Sequence, residues 1–143
     1  MEWHGVIAPT DDVSANDMYR DLEEPARTVV SELLHSLDTD TIDQDAIDDV
    51  ILTTVRNALF GSLLRVATGS TTEFEAWLDD QEADITVQQI GGEHVDYVAW
   101  HRFENEVVAA TYQHEPGAAR GTLRRYAFNR LYREILADIE PER

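Results

Sequence analysis

Residues 118–133 hold five arginines and no acidic side chain, in a chain of 143 residues whose formal net charge is −18. The stretch "LRRYAFNRLYRE" (123–134) has helical spacing. At 100° per residue, Phe128, Leu131, Tyr132, Ile135, Leu136 and Ile139 gather on one side, which is the predicted core side. Tyr126, Arg130 and Arg133 follow at i, i+4 and i+7 on the other. One aromatic ring and two guanidiniums on a common stripe can hold a carboxylate or phosphate in bidentate fashion, or stack on a base. Arg120, Arg124 and Arg125 add charge towards the N-terminal end of the same helix, where the helix dipole disfavours cations. A negative group is therefore expected nearby, supplied by the chain's own carboxylates, by another subunit, or by nucleic acid.

Salt decides among these. The chain carries 29 Asp and Glu against 11 basic residues, all of them arginine, with 43% apolar residues and three tryptophans. A folded, lysine-free, carboxylate-coated chain suits a cytoplasm with molar salt, where the Debye length is roughly 3 Å and surface self-repulsion is screened. There, five phosphate contacts give a salt slope near −4.5, so moving from about 0.15 M to 2 M salt removes roughly five decades of affinity. Nucleic acid is thus disfavoured as a partner, retained only as an alternative in which Tyr126 stacks on a base. Carboxylates resist better when they form desolvated forks with arginine. The expected sources are the acidic run at residues 38–49 or a second copy of the chain.

Metal and catalytic chemistry find less support. In "LDTDTIDQDAIDD" the first, third and twelfth positions of a calcium loop are acidic, but Ile42 occupies a ligand position and Asp43 replaces the required glycine. If Glu104 and Asn105 form a two-residue turn, His101 lies opposite Val108 and His114 opposite Val95. His101 and His114 then share a face about 20 Å apart, while His94 points to the other. His94, Asp96 and Glu115 are left as a weak divalent-ion cluster, and a metal-dependent enzyme as a second alternative. Nucleophile-elbow, zinc-protease and phosphate-loop motifs are missing, so no catalytic residue, metal site or cofactor is assigned. There is no cysteine, which excludes disulfides and thiolate chemistry. No apolar run is long enough to span a membrane and the opening residues do not resemble a signal peptide, so the expected location is cytoplasmic.

The elements that must position these residues read as follows. Residues 1–9 are expected to be a flexible tail, 10–139 a single domain, and 140–143 a flexible end. Thr10 should cap a first helix. Pro25 should open a second, with Val29, Val30, Leu33, Leu34 and Leu37 inside. Thr41 and Gln44 form a capping box for a third helix, buried through Ile47, Val50, Ile51, Val55, Ala58 and Leu59 and ended by Gly61. Residues 62–69 read as a strand, and Thr72 with Glu75 as the box of a fourth helix that buries Phe74, Trp77 and Leu78. "ITVQQI", "HVDYVAWHRF" and "EVVAATYQ" read as an antiparallel meander, and a last helix runs over 116–139. Helices followed by β-α-β-β-β-α make an α+β domain with a mainly antiparallel sheet covered by helices.

Alternation in the last hairpin places Trp100 with Val98, Val107 and Ala109, opposite Tyr97, Ala99, Val108, Ala110 and Tyr112. Both faces are apolar, so one should cover helices and the other, through Trp100, a protein partner or second copy. Trp100, Tyr126, Arg130 and Arg133 are therefore the candidate binding residues of a non-catalytic interaction module or small homo-oligomer. Together "ALFGSLLRV", "EFEAW", "VDYVAWH" and "TLRRYAFNRLYREIL" resemble a family of short acidic haloarchaeal proteins of unknown function, over roughly residues 8–136. That resemblance implies a haloarchaeal cytoplasmic origin and transfers no activity.

Overall fold

A computed structural model describes residues 1–36, 49–92 and 95–139. The expected α+β class is what it shows: helices on a five-stranded, mostly antiparallel sheet. The strands are β1 (Glu2–His4), β2 (Val66–Ser70), β3 (Thr86–Ile90), β4 (Tyr97–Phe103) and β5 (Glu106–Tyr112). The helices are α1 (Asp12–Asp21), α2 (Glu23–Ser36), α3 (Asp49–Ser62), α4 (Thr71–Asp79), α5 (Pro116–Ala127) and α6 (Arg133–Ile139), with a π-helical turn (Phe128–Tyr132) joining the last two.

The β4–β5 hairpin has the register its turn dictates. His101 pairs with Val108 and Trp100 with Ala109, and Glu104 enters the turn at φ 55°. Strand order departs from the meander. It is β1-β2-β4-β5-β3, so β5 lies between β3 and β4 and pairs parallel with β3. The chain leaving β3 must cross the end of β5. Gly91, at φ 99°, makes that crossing, and a Cβ there would meet the Thr111 hydroxyl at 2.3 Å. Thr111 Oγ1 in turn donates to the Gly92 carbonyl at 2.8 Å. The tail expected over residues 1–9 instead supplies β1, paired antiparallel with β2 along Glu2–His4.

Helix starts were legible to within two residues. Asp11, rather than Thr10, caps α1, in a reciprocal box with Ser14. Ser70 with Glu73, rather than Thr72 with Glu75, caps α4. Pro25 is the third residue of α2 and not its first. β2 is later than expected because α3 continues through Ser62. Gly61 therefore does not end that helix. It faces Phe128, whose Cβ lies 3.6 Å from where a Cβ on residue 61 would stand, an ordinary contact distance.

The inner face of α3 is also rotated from the expected one. Leu52, Arg56 and Phe60 point inward, whereas Val50 and Ile51 are exposed. A buried arginine explains the misreading: Arg56 lies 4.2 Å above the Tyr19 ring and 3.6 Å from Glu23, so a charged residue occupies the core stripe. On α2, Ala26 and Val30 are buried while Val29 and Leu33 are not. The Thr41–Gln44 box, Leu37, Ile47, the acidic run up to Asp48 and residues 140–143 lie outside the described residues. Among the described residues, no helix is long and apolar enough to cross a membrane.

The sheet separates two clusters. Ala99, Val108 and Ala110 pack with Phe60, Leu123, Phe128 and Tyr132 beneath α1, α3 and α5. Ala67, Val98, Trp100, Val107 and Ala109 pack with Phe74 beneath α4, the one helix over that face among the described residues. This is the partition that strand alternation predicted.

Candidate functional site: an arginine cleft without acids

Where α3 and α5 run side by side, small residues at the contact (Ala58 and Gly61 on one helix, Gly121 on the other) leave a cleft of about 500 Å³. Thr54, Asn57 and Ser62 line the α3 wall. Arg124, Arg125, Asn129 and Arg133 line the opposite wall. None of the described lining residues is acidic.

Each arginine is held differently. Arg124 is half-buried, donating from Nε to the Leu64 carbonyl at 2.9 Å and from Nη2 to that of His4 at 3.3 Å. It thereby ties β1 and the approach to β2 to α5. Burial, and then the neighbouring Arg120, lower its pKa from the usual arginine value. Arg125 reaches only Thr122 Oγ1, at 3.5 Å, and Arg133 donates to Asn129 Oδ1 at 2.8 Å. Both are exposed. Among the described residues, none of Arg120, Arg124, Arg125 and Arg133 has an ion-pair partner, in a chain with 29 carboxylates. The expected internal pairing with residues 38–49 falls on a run that lies almost wholly outside the described residues.

Arg130 is different. Its Nε lies 3.4 Å from Glu106 Oε2 at the start of β5, and it faces a separate cleft with Gln88 and Asn105. Tyr126 is partly buried against the main core. The single outward stripe of Tyr126, Arg130 and Arg133 is thus divided, because the π turn intervenes. The Arg133 N–H reaches back five residues to the Phe128 carbonyl, and each residue in that wider turn advances less than 100°. Arg133 consequently swings to the α3 side, away from Arg130. The core side of the helix survives, with Phe128, Leu131, Tyr132 and Leu136 buried.

Trp100 is 1% exposed, beneath Phe74 and Trp77, so α4 of the same chain covers the ring that was expected to meet a partner. His101 faces the other way and is 3% exposed. Its Nδ1 lies 2.6 Å from the Arg65 carbonyl, which can only accept, so Nδ1 carries the proton and Nε2 accepts from the Tyr132 hydroxyl at 2.6 Å. Burial lowers its pKa to about 4, and burial likewise raises that of Tyr132. A neutral histidine with both nitrogens satisfied is a structural strut. His114 is exposed on the loop after β5, and His94 lies outside the described residues, which leaves its grouping with Asp96 and Glu115 unplaced. Among the described residues no three His, Asp or Glu side chains converge.

The model of the family of unknown function DUF5809 matches residues 6–133. The chain belongs to that family. No curated protein and no solved structure matches it. Membership in DUF5809 brings no catalytic or binding assignment, and the arginine cleft lies wholly within the matched residues. Sequence inspection had marked Arg133 but missed Arg124 and Arg125 as its companions. The signal was present in the acid-free run, but the α3 wall that completes the cleft depends on which face of α3 turns inward.

Proposed function

We propose that the chain is a non-catalytic interaction module of a halophile's cytoplasm, whose cleft between α3 and α5 takes a carboxylate-bearing segment of a partner protein. The observation that carries this is the cleft's composition: three arginines and no acid among the described lining residues, on a chain of net charge −18. Like charges gathered without a counter-ion repel one another, and a bound carboxylate removes that cost while forming charge-assisted forks. Two of the three guanidiniums, Arg125 and Arg133, are exposed and spend little of their donor capacity within the chain. A halophilic setting is supported by the excess of acids and the arginine-only cations. A polyphosphate partner is disfavoured by the repulsion of the remaining surface and by the steep salt dependence of phosphate contacts.

The test is fluorescence anisotropy in molar KCl with a labelled oligoglutamate peptide and, separately, a labelled single-stranded oligonucleotide. The peptide is expected to bind, and Arg125→Gln with Arg133→Gln to weaken it about ten-fold or more, at unchanged circular dichroism. Light scattering of the same pair of proteins asks whether the partner is a second copy, in which case the double variant is smaller than the parent. Absence of both peptide binding and self-association, or preference for the oligonucleotide, overturns the proposal.

A further inference from the structure

On the α4 side of the sheet, past the C-terminal end of that helix, a second cavity of about 440 Å³ opens between the chain's first residues and the strands. All three tryptophans of the protein, Trp3, Trp77 and Trp100, line it. Sheet register explains the convergence, because Trp3 and Trp100 both pair with Ala67 and so stand on one face, one strand to either side of it. Trp77 descends from α4, its ring centre 5.7 Å from that of Trp100. Two of the polar groups are guanidiniums. The Arg65 guanidinium lies 4.8 Å from the centre of the exposed Trp3 ring. Arg102 is braced by the Glu104 carbonyl and the Gln81 side chain. Glu104 is the one acid in the lining.

One atom is unaccounted for. The indole Nε1 of Trp100 is buried and has no acceptor, although the ring is otherwise fully packed. Buried tryptophan N–H groups normally find a partner, and leaving one without costs free energy. The Trp100 N–H is sealed from the cavity, so the groups that face a ligand are the Trp3 and Trp77 rings and the two guanidiniums, which are complementary to a planar ring bearing an anion.

We propose that this cavity binds a small planar aromatic carboxylate, whose ring packs against Trp3 and Trp77 and whose oxygens meet Arg65 and Arg102. The cavity shares no residue with the arginine cleft, so the two sites stand or fall separately.

Because every tryptophan lines the cavity, intrinsic fluorescence reports its occupancy directly. Benzoate is the probe, with benzamide as the uncharged ring and acetate as the carboxylate without a ring. Saturable quenching or a spectral shift is expected with benzoate, at about ten-fold or more lower concentration than with either control. By calorimetry, Arg102→Gln and Arg65→Gln each remove one guanidinium of the lining. Each should weaken benzoate about ten-fold, while Arg125→Gln with Arg133→Gln leaves it unchanged. If millimolar benzoate produces no saturable change, or if benzamide and acetate match it, the site is refuted. Undiminished benzoate binding in both Arg102→Gln and Arg65→Gln refutes it as well. Should Arg102→Gln fail to fold, Arg65→Gln decides.

Discussion

The two faces of the sheet are built from the same hairpin and end in different states. On one, Ala99, Val108 and Ala110 meet α1, α3 and α5, and His101, trapped there, is bonded at both nitrogens. On the other, among the described residues, Val98, Trp100 and Ala109 meet α4 as their one covering helix, and a polar group is left over in the Trp100 N–H. The difference is one of coverage. A helix of nine residues is roughly 13 Å long, whereas five strands span roughly 19 Å between the outer axes. One such helix cannot roof the face, and the uncovered part is the tryptophan cavity. The closed face provides stability. The partly roofed face leaves room for a ligand.

That contrast can be broken most directly by truncating one aromatic on each side. Phe60 is fully buried and meets Tyr19, Phe128 and Tyr132 edge to face, with no open space to collapse into. Phe60→Ala should cost about 4–5 kcal/mol in urea unfolding in molar KCl. Phe74→Ala, beside Trp77 and next to a cavity that lets neighbours settle, should cost about 3 kcal/mol. Equal costs, or the reverse order, would remove the distinction between the faces.

A smaller effect tests the satisfied side through pH. The pKa of His101 falls from 6.5 to about 4 on folding, so between those values the unfolded chain takes up a proton that the native state refuses. Its contribution is complete above about pH 6.5, declines as pH drops, and is gone near pH 4, for a total of about 3 kcal/mol. Unfolding free energies measured at pH 7, 6 and 5 should show this decline, and a His101→Phe variant should lose it. A flat profile in the parent would mean that water reaches the imidazole.

The smallest effect concerns the rim. Arg130 and Glu106 form a 3.4 Å pair with side chains 48% and 35% exposed. Glu106→Gln should change stability by no more than about 0.5 kcal/mol, and less as KCl is raised. A loss several times larger would mean that the closed face depends on its border charges as well as its core.

Much of this architecture could be read from local pattern. The two-residue turn at Glu104 and Asn105 set the β4–β5 register, and period-two alternation then sorted Trp100 from Ala99 and Val107 from Val108 without reference to other elements. The core side of the last helix, from Phe128 to Leu136, was equally clear, since burial needs only that apolar residues recur each turn. Misreadings came where a non-local partner rewrote a local signal. Arg56 looked like surface until the Tyr19 ring and Glu23 made it a core residue. Gly61 looked like a helix end, but α3 runs on through Ser62. In Tyr126, Arg130 and Arg133 an ideal 100° step promised one stripe, and the π turn divided it.

By itself, then, the sequence determined the class of the fold, the hairpin and its two faces, and the existence of an acid-free arginine segment in an acidic chain. These depend on residues a few positions apart, whose geometry the backbone fixes. Only the tertiary structure decided that β3 crosses over to lie beside β5, that β1 joins the sheet edge, that Arg133 turns towards α3 with Arg124 and Arg125, and that three distant tryptophans share one cavity. Those outcomes depend on which surfaces meet across long separations in the chain. Packing chooses among such meetings by total burial, and periodicity carries no record of that choice.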